Sequence, residues 1–130
     1  MVGFKPTSTL YHVDRVGRMA PRPAPASLAR RLGARIRELR QEAQITQEKL
    51  AWDCDLDKGY MSQIEAGKRV PSVPVLAVLA KRLGLEIADL VAFDLKRPRL
   101  RLLDAARRGD RADVATALRD LALAESLRNH

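Results

Sequence analysis

The chain has 130 residues, a single cysteine and a formal net charge of +8. One cysteine excludes an internal disulfide, and no run of about 18 apolar residues occurs, so we expect a cytoplasmic protein that does not span a membrane. The excess of positive charge favours a polyanionic partner.

The positive charge is concentrated at the two ends of the chain. Residues 1–27 carry +3, residues 28–94 carry +1 and residues 95–130 carry +4. Leucine, isoleucine, valine and alanine are plentiful and β-branched runs are rare, so we expect an all-α fold with little or no sheet. The same boundaries divide the chain into an N-terminal arm, a central helical domain and a helical C-terminal extension.

The N-terminal arm, residues 1–27, holds several prolines and shows no helical period. Its segment from Met19 to Ala26 is predicted to be extended and poorly ordered. Two interpretations fit a flexible basic arm of this kind. It is either a solvated tail or an arm that reaches into a DNA minor groove with Arg18 and Arg22.

A long first helix is predicted from Ser27, a good N-cap, to about Ala43. A three-to-four spacing defines its buried stripe, which consists of Leu28, Leu32, Ile36, Leu39 and Ala43. Most of the arginines on its other sides are predicted to be solvated, with some of them near a DNA backbone: Arg30, Arg31, Arg35, Arg37 and Arg40.

The stretch from Thr46 to Gly67 is predicted to form two short helices with a tight break between them. Thr46 can cap the first helix and Asp57 can cap the second. Asp55, in the break, is a residue type that tolerates a left-handed backbone. Two helices joined by so short a turn must cross steeply. This is the geometry of a helix-turn-helix, whose second helix can enter a DNA major groove.

Four more helices are predicted after this stretch. A fourth helix follows Ser72, and a short fifth helix, Glu86 to Val91, closes the core. Two helices are then predicted in the extension, to either side of Gly109-Asp110. Their apolar stripes are Leu100, Leu103 and Ala106 in the first, and Val114, Ala117, Leu118, Leu121 and Leu127 in the second. Neither is long enough to be stable alone in water, so each must cover the central domain or a second subunit.

The span from about Leu32 to Val91 resembles the Cro/cI-type (XRE) helix-turn-helix family of bacterial and phage repressors. Four motifs carry the resemblance, in order and at the expected spacing: Thr-Gln at the start of the second helix, Ser-x-Ile-Glu-x-Gly at the end of the third, basic-x-Pro-Ser in the linker, and Ala-x-x-Leu-Gly in the fourth helix. The resemblance implies a five-helix, lambda-repressor-like domain over residues 28–94, with the helix-turn-helix motif at about 46–65.

In this family, residues at the start of the third helix and one turn later reach the edges of DNA bases. The resemblance assigns this role to Lys58, Gly59, Ser62 and Gln63. It assigns contacts with DNA phosphates to Gln47, Tyr60, Lys68 and Arg69. Lys58 suits guanine O6 and N7, and Gln63 suits adenine N6 and N7.

Together these features predict a sequence-specific transcriptional regulator, a nucleoid-associated homodimeric repressor that reads a roughly palindromic operator in double-stranded DNA with the helix around residues 57–66. No catalytic constellation, metal-spaced Cys/His group or glycine-rich phosphate loop occurs, so we expect no enzyme activity, metal or cofactor. Two alternatives stay open. One is an adaptor, such as an antitoxin, that holds a protein partner through residues 95–130. The other is a non-specific nucleic-acid binder that uses its basic ends.

Overall fold

Seven helices and a two-stranded hairpin form the part of the chain that a computed structural model describes, residues 11–13, 15–21 and 26–129. The hairpin pairs β1 (Tyr11–Val13) with β2 (Met19–Pro21) in antiparallel register. The helices are α1 (Ala26–Glu42), α2 (Gln47–Asp53), α3 (Lys58–Glu65), α4 (Val73–Leu83), α5 (Ile87–Val91), α6 (Pro98–Arg108) and α7 (Arg111–Arg128). The predicted all-α class is confirmed, and the hairpin is an addition to it.

The β-hairpin corrects the prediction that the segment from Met19 to Ala26 is poorly ordered, because its first three residues, Met19–Pro21, form a strand. Residues 22–25 of that segment lie outside the described residues. Met19 pairs with Val13, and the turn between the strands passes through Gly17 at φ +82°. Glycine adopts a positive φ without steric cost, so this residue permits the turn. The sequence pattern did not reveal the hairpin because strands of three residues carry too little alternation to be recognised.

The hydrophobic core lies where α1 to α5 meet. Its largest fully buried side chains come from all five helices: Ile36, Leu39, Leu50, Met61, Ile64, Leu79 and Leu90. The stripe predicted for α1 is right at its centre and wrong at its ends, where Leu28 and Ala43 are exposed. Val91, predicted to close the core, is also exposed, and the next residue, Ala92, is buried instead. Positions at the ends of a helix have fewer neighbours to cover them.

Two of the five arginines of α1 are buried, and the other three are exposed, in line with the prediction that most of the five are solvated. Arg40 donates from Nε and Nη2 to the two carboxylate oxygens of Glu65 on α3, each at 2.8 Å. Arg35 donates from Nε to the Asp89 carbonyl oxygen at 3.0 Å and from Nη2 to the Asp104 carboxylate at 2.7 Å. Within the described residues one donor of these two groups, Arg35 Nη1, has no hydrogen-bond acceptor and lies 3.5 Å from Glu38 Oε2. The acceptors of the other donors tie α1 to α3, α5 and α6.

Gly33 allows α1 and α3 to approach closely. A Cβ atom at Gly33 would overlap the Ile64 carbonyl oxygen and would lie 2.8 Å from the Glu65 carbonyl oxygen. The C-terminal turn of α3 therefore rests directly on the backbone of α1, which fixes the direction in which the other side of α3 points.

The helices α6 and α7 form a helical hairpin that is broken at Gly109, as predicted, with φ +70° at that residue. Its register differs from the prediction. The residues of α6 that are buried are Asp104 and Ala105, whereas Leu103 and Ala106 are exposed. A carboxylate therefore occupies the inner side of α6, where the prediction placed an apolar stripe.

Hydrogen bonds from arginines explain why Asp104 is buried. Its carboxylate accepts from Arg35 on α1, and also from Arg107 and Arg108 of its own helix, each at 3.0 Å. Burial opposes the charged form, but the hydrogen bonds from the three arginines outweigh that effect and lower the pKa of Asp104 to about 2. Charge as well as apolar periodicity thus decides which side of α6 faces α1.

The second helix of the hairpin, α7, leaves part of its apolar surface uncovered. Ala117 is fully buried, but Leu118, Leu123 and Leu127 are 49%, 61% and 69% exposed. The stripe predicted for α7 is therefore wrong at Leu118 and Leu127. Leu118 and Leu127 are nine residues apart, which places them on opposite sides of α7, so packing on one side of this helix cannot bury both.

Candidate nucleic-acid interface

Side-chain caps hold the N-termini of the two short helices α2 and α3. The Thr46 hydroxyl accepts a hydrogen bond from a backbone N–H of α2 at 3.1 Å. The Asp57 carboxylate accepts from two backbone N–H groups of α3, at 2.9 and 3.2 Å. Between the helices, Asp55 has a left-handed backbone with φ +54°. The predicted caps and turn are confirmed, and the cap gives the Asp57 carboxylate a structural role beside the surface that α3 exposes.

One side of α3 is buried and the other is exposed and polar. Met61 and Ile64 are fully buried. The four residues predicted to reach bases are all exposed: Lys58, Gly59, Ser62 and Gln63. Gly59, Ser62 and Gln63 follow the spacing of a single helix side, so they form a continuous stripe along α3.

Lys58, at the N-terminal end of α3, is held by a carboxylate of α2. Its Nζ lies 2.5 Å from Glu48 Oε1, and both side chains are about two-thirds exposed. The hydrogen bond from Lys58 and its positive charge lower the pKa of Glu48. An exposed ion pair contributes little to stability, so a DNA acceptor can compete with Glu48 for the ammonium group.

Gln47, predicted to contact a phosphate, lines a cleft of about 320 Å³ between α1, α2 and α3. Arg37 lies on the α1 side of this cleft, and Ser62 and Ala66 lie on the α3 side. The cleft therefore brings a predicted phosphate contact and a predicted base contact together with an arginine that the family motif did not include.

Tyr60 and Arg69, two further predicted phosphate contacts, lie against each other. The Arg69 guanidinium stands 5.5 Å from the centre of the Tyr60 ring, which is cation–π distance. Lys68 precedes Arg69 in the turn after α3 and is exposed. The two cations thus follow directly on the C-terminal end of α3.

The candidates for a minor-groove contact lie in the N-terminal region. Arg18 is exposed and lies between the two strands of the β-hairpin. Arg22 lies outside the described residues.

Sequence reasoning did not predict the role of Arg40, although one signal was present. Arg40 follows Ile36 by four residues, so it falls on the continuation of the buried stripe of α1. A charge at such a position indicates a buried ion pair, and its partner is Glu65 at the end of α3. The Arg40–Glu65 pair therefore holds the C-terminal end of α3 against α1.

The described residues contain neither a cluster of metal ligands nor a helix that could cross a membrane, and their one cysteine is buried. No group of three or more metal-ligating side chains occurs among residues 11–13, 15–21 and 26–129. No helix in these ranges is long and apolar enough to cross a bilayer. The lone cysteine, Cys54, is buried against α4, and burial raises the pKa of its thiol, which makes the thiol less reactive.

A capped short helix, a turn with one left-handed residue and a second helix with an exposed polar stripe define a helix-turn-helix domain. A family model described as a helix-turn-helix domain matches residues 31–93. The chain is 39% identical over 62 residues to the control protein C.BamHI of Bacillus amyloliquefaciens, a match that covers 47% of this chain and 76% of that protein.

Two more proteins show the same likeness. The chain is 33% identical over 60 residues to the immunity repressor protein of Bacillus phage phi105, which covers 46% of this chain and 42% of the repressor. A hypothetical transcription factor NHTF from Neisseria shares the fold, with a TM-score of 0.52 and 24% identity over 62% of this chain and 94% of that one. The chain belongs to the Cro/cI-type helix-turn-helix family of DNA-binding transcriptional regulators.

Proposed function

We propose that the protein is a homodimeric repressor that binds a roughly palindromic operator in double-stranded nucleoid DNA and reads it with α3. The observation that supports this most is the stripe of Gly59, Ser62 and Gln63 on the exposed side of a helix whose other side is buried. A helix held in this way can enter a major groove without rearranging.

Each residue of the exposed side offers a different contact to a base. The Gln63 amide can donate to and accept from adenine N6 and N7, and the Lys58 ammonium can donate to guanine O6 and N7. Gly59 has no side chain, which leaves room for a thymine methyl group. Among the described residues, a Cβ there would meet only Asp57 Oδ2, at 3.0 Å. Gln47, Tyr60, Lys68 and Arg69 would hold the phosphates to either side.

The homodimer follows from what one helix can read. A single recognition helix contacts only a few base pairs. A two-fold symmetric dimer places a second recognition helix on the DNA, so that the protein reads two half-sites about 34 Å apart. The extension, residues 95–130, is the candidate for pairing, since Leu123 and Leu127 are four residues apart, lie on one side of α7 and are 61% and 69% exposed. A protein partner at the same leucines is the adaptor alternative.

Non-specific binding through the basic C-terminal extension is less well supported. Four of its arginines are engaged by carboxylates at 3.3 Å or less: Arg99 with Glu125, Arg101 with Asp113 and Asp120, Arg107 with Asp104 and Glu42, and Arg108 with Asp104, Asp110 and Asp113. A carboxylate within 3.3 Å weakens the attraction of a guanidinium for phosphate, so these four of the nine basic residues of the extension contribute less to binding a duplex than their charge alone indicates.

The variant Gln63→Ala tests the reading role of α3. We expect it to weaken binding to the operator duplex, found by selection from random DNA, by about 1–3 kcal/mol, or roughly 5- to 150-fold, because a bidentate base contact is lost. Binding to a scrambled duplex should hardly change. Fluorescence anisotropy on both duplexes measures the two affinities. Asn129→Ala, which removes an exposed amide at the end of α7, is the matched control. An equal loss of affinity for the operator and the scrambled duplex would contradict the proposal that Gln63 contacts a base.

A further inference from the structure

Arg30 and Arg37 on α1 differ from the other arginines of this helix. Both are exposed, and neither forms an ion pair within the described part of the chain. The other three arginines of α1 are each engaged: Arg31 with Asp94, Arg35 with Asp104, and Arg40 with Glu65. Arg30 and Arg37 are seven residues apart in the sequence, so they lie on the same side of α1, two turns from each other.

This side of α1 borders the surface that α3 exposes. Arg37 lines the cleft that also contains Gln47 and Ser62. Arg30 lies against the turn that follows α3, because a Cβ at Gly67 would come within 2.7 Å of the Arg30 Cα and Cγ atoms. Arg37 thus lies beside α2, and Arg30 lies beside Lys68, so the two arginines border different ends of the surface that α3 exposes.

The helical hairpin α6–α7 packs on a different side of α1. Successive residues of a helix are rotated by about 100°, so Arg35 lies more than 120° around α1 from both Arg30 and Arg37. Arg35 joins α1 to α5 and α6, and Glu42, seven residues further along the same side of α1, pairs with Arg107 of α6 at 2.9 Å. The hairpin therefore leaves the side with Arg30 and Arg37 open to a ligand.

The charges near this side favour an anion. Glu65, the carboxylate closest in sequence to the turn after α3, is buried and neutralised by Arg40. Arg37, which has no ion-pair partner among the described residues, has a planar guanidinium that can donate two parallel hydrogen bonds to a phosphate.

We propose that Arg30 and Arg37 form a phosphate-binding strip on α1, together with Lys68, and that this α1 strip holds the DNA backbone beside the groove that α3 reads. The proposal rests on the proposed function, since it assumes that α3 faces a duplex. It adds two cationic contacts to the Lys68 and Arg69 contacts predicted from the family motif, and it gives α1 a direct part in binding.

The salt dependence of binding tests the strip. Each phosphate contact that is lost lowers the magnitude of the slope of log K against log salt concentration by about 0.9. We expect a decrease of about 0.9 for Arg30→Gln and for Arg37→Gln, and of about 1.8 for the double variant. The loss of affinity should be the same on operator and scrambled DNA, because phosphates carry no sequence information. The double lysine variant, which keeps both charges, should retain the slope.

Arg99→Gln is the matched control. It removes one charge from the helical hairpin α6–α7, which packs on a different side of α1 and in which Arg99 is paired with Glu125 at 3.3 Å. Its slope should equal that of the wild type. An unchanged slope in the double glutamine variant would overturn the α1 strip, whether or not the wild type prefers one sequence. A wild type that binds all duplexes equally would overturn the proposed function separately, while the slopes on scrambled DNA would still decide on the strip.

Discussion

Replacing Glu65 by alanine is expected to lower the free energy of unfolding by about 3–5 kcal/mol, a large part of what a domain of this size has. The substitution leaves the buried Arg40 guanidinium without the two carboxylate oxygens that accept from it at 2.8 Å. One Arg40 donor would remain satisfied, by the Ile45 carbonyl oxygen at 2.8 Å. Urea denaturation followed by circular dichroism measures the change.

A second substitution separates the loss of the ion pair from the cost of an unpaired charge. The double variant Arg40→Met and Glu65→Leu removes both charges and keeps similar volumes. It should recover most of the lost stability, because replacing a buried pair by apolar residues is often neutral. A loss below about 1 kcal/mol in Glu65→Ala would show that the Arg40–Glu65 pair does not hold α3 against α1.

Replacing Asp104 by asparagine is expected to destabilise the protein by about 3–5 kcal/mol at pH 7, because three arginines then surround a neutral amide. The pKa of Asp104 is lowered to about 2 in the folded protein, against about 3.9 in an unfolded chain. Its charge therefore stabilises the fold above pH 4. About 2 kcal/mol of that stabilisation is lost as the pH falls from 4 to 2.

Urea denaturation of the wild type and of Asp104→Asn between pH 4 and pH 2 tests whether the charge of Asp104 stabilises the fold. The difference in stability between the two proteins should shrink as the pH falls from 4 to 2. Asp120→Asn is the control, since its side chain is 48% exposed and, within the part of the chain that the structure describes, accepts from Arg101 alone. It should cost less than about 1 kcal/mol. A difference in stability between the wild type and Asp104→Asn that stays constant down to pH 2 would contradict the claim that the charge of Asp104 stabilises the fold.

The helix boundaries could be predicted because their causes are local. Ser72 and Asp57 cap the helices that follow them, and Gly84 and Gly109 end the helices that precede them with φ near +70°. Each of these signals involves residues within one turn of each other, so a pattern in the sequence contains the whole interaction.

The burial of charged residues could not be predicted in the same way. The partner of Arg35 is 69 residues away and that of Arg40 is 25 residues away. An apolar period identifies the side of a helix that faces inward, but it does not identify a carboxylate on another helix. For this reason the prediction gave α6 the wrong inner side and missed Asp104.

The candidate interface shows the same division. The motif predicted which positions of α3 are exposed, because Met61 and Ile64 fix its buried side. It did not predict that Glu48 engages Lys58 or that Arg37 shares a cleft with Gln47. These features arise from the way that different helices pack together.

Whether α3 reads an operator can be tested by selecting binding sites from random duplex DNA and then titrating the winning duplex and a scrambled one at physiological salt. We predict a palindromic winner with half-sites about one helical turn apart, bound at least about a thousandfold more tightly than the scrambled duplex. Equal affinity for both duplexes, or no binding to either, would contradict the claim that α3 reads an operator.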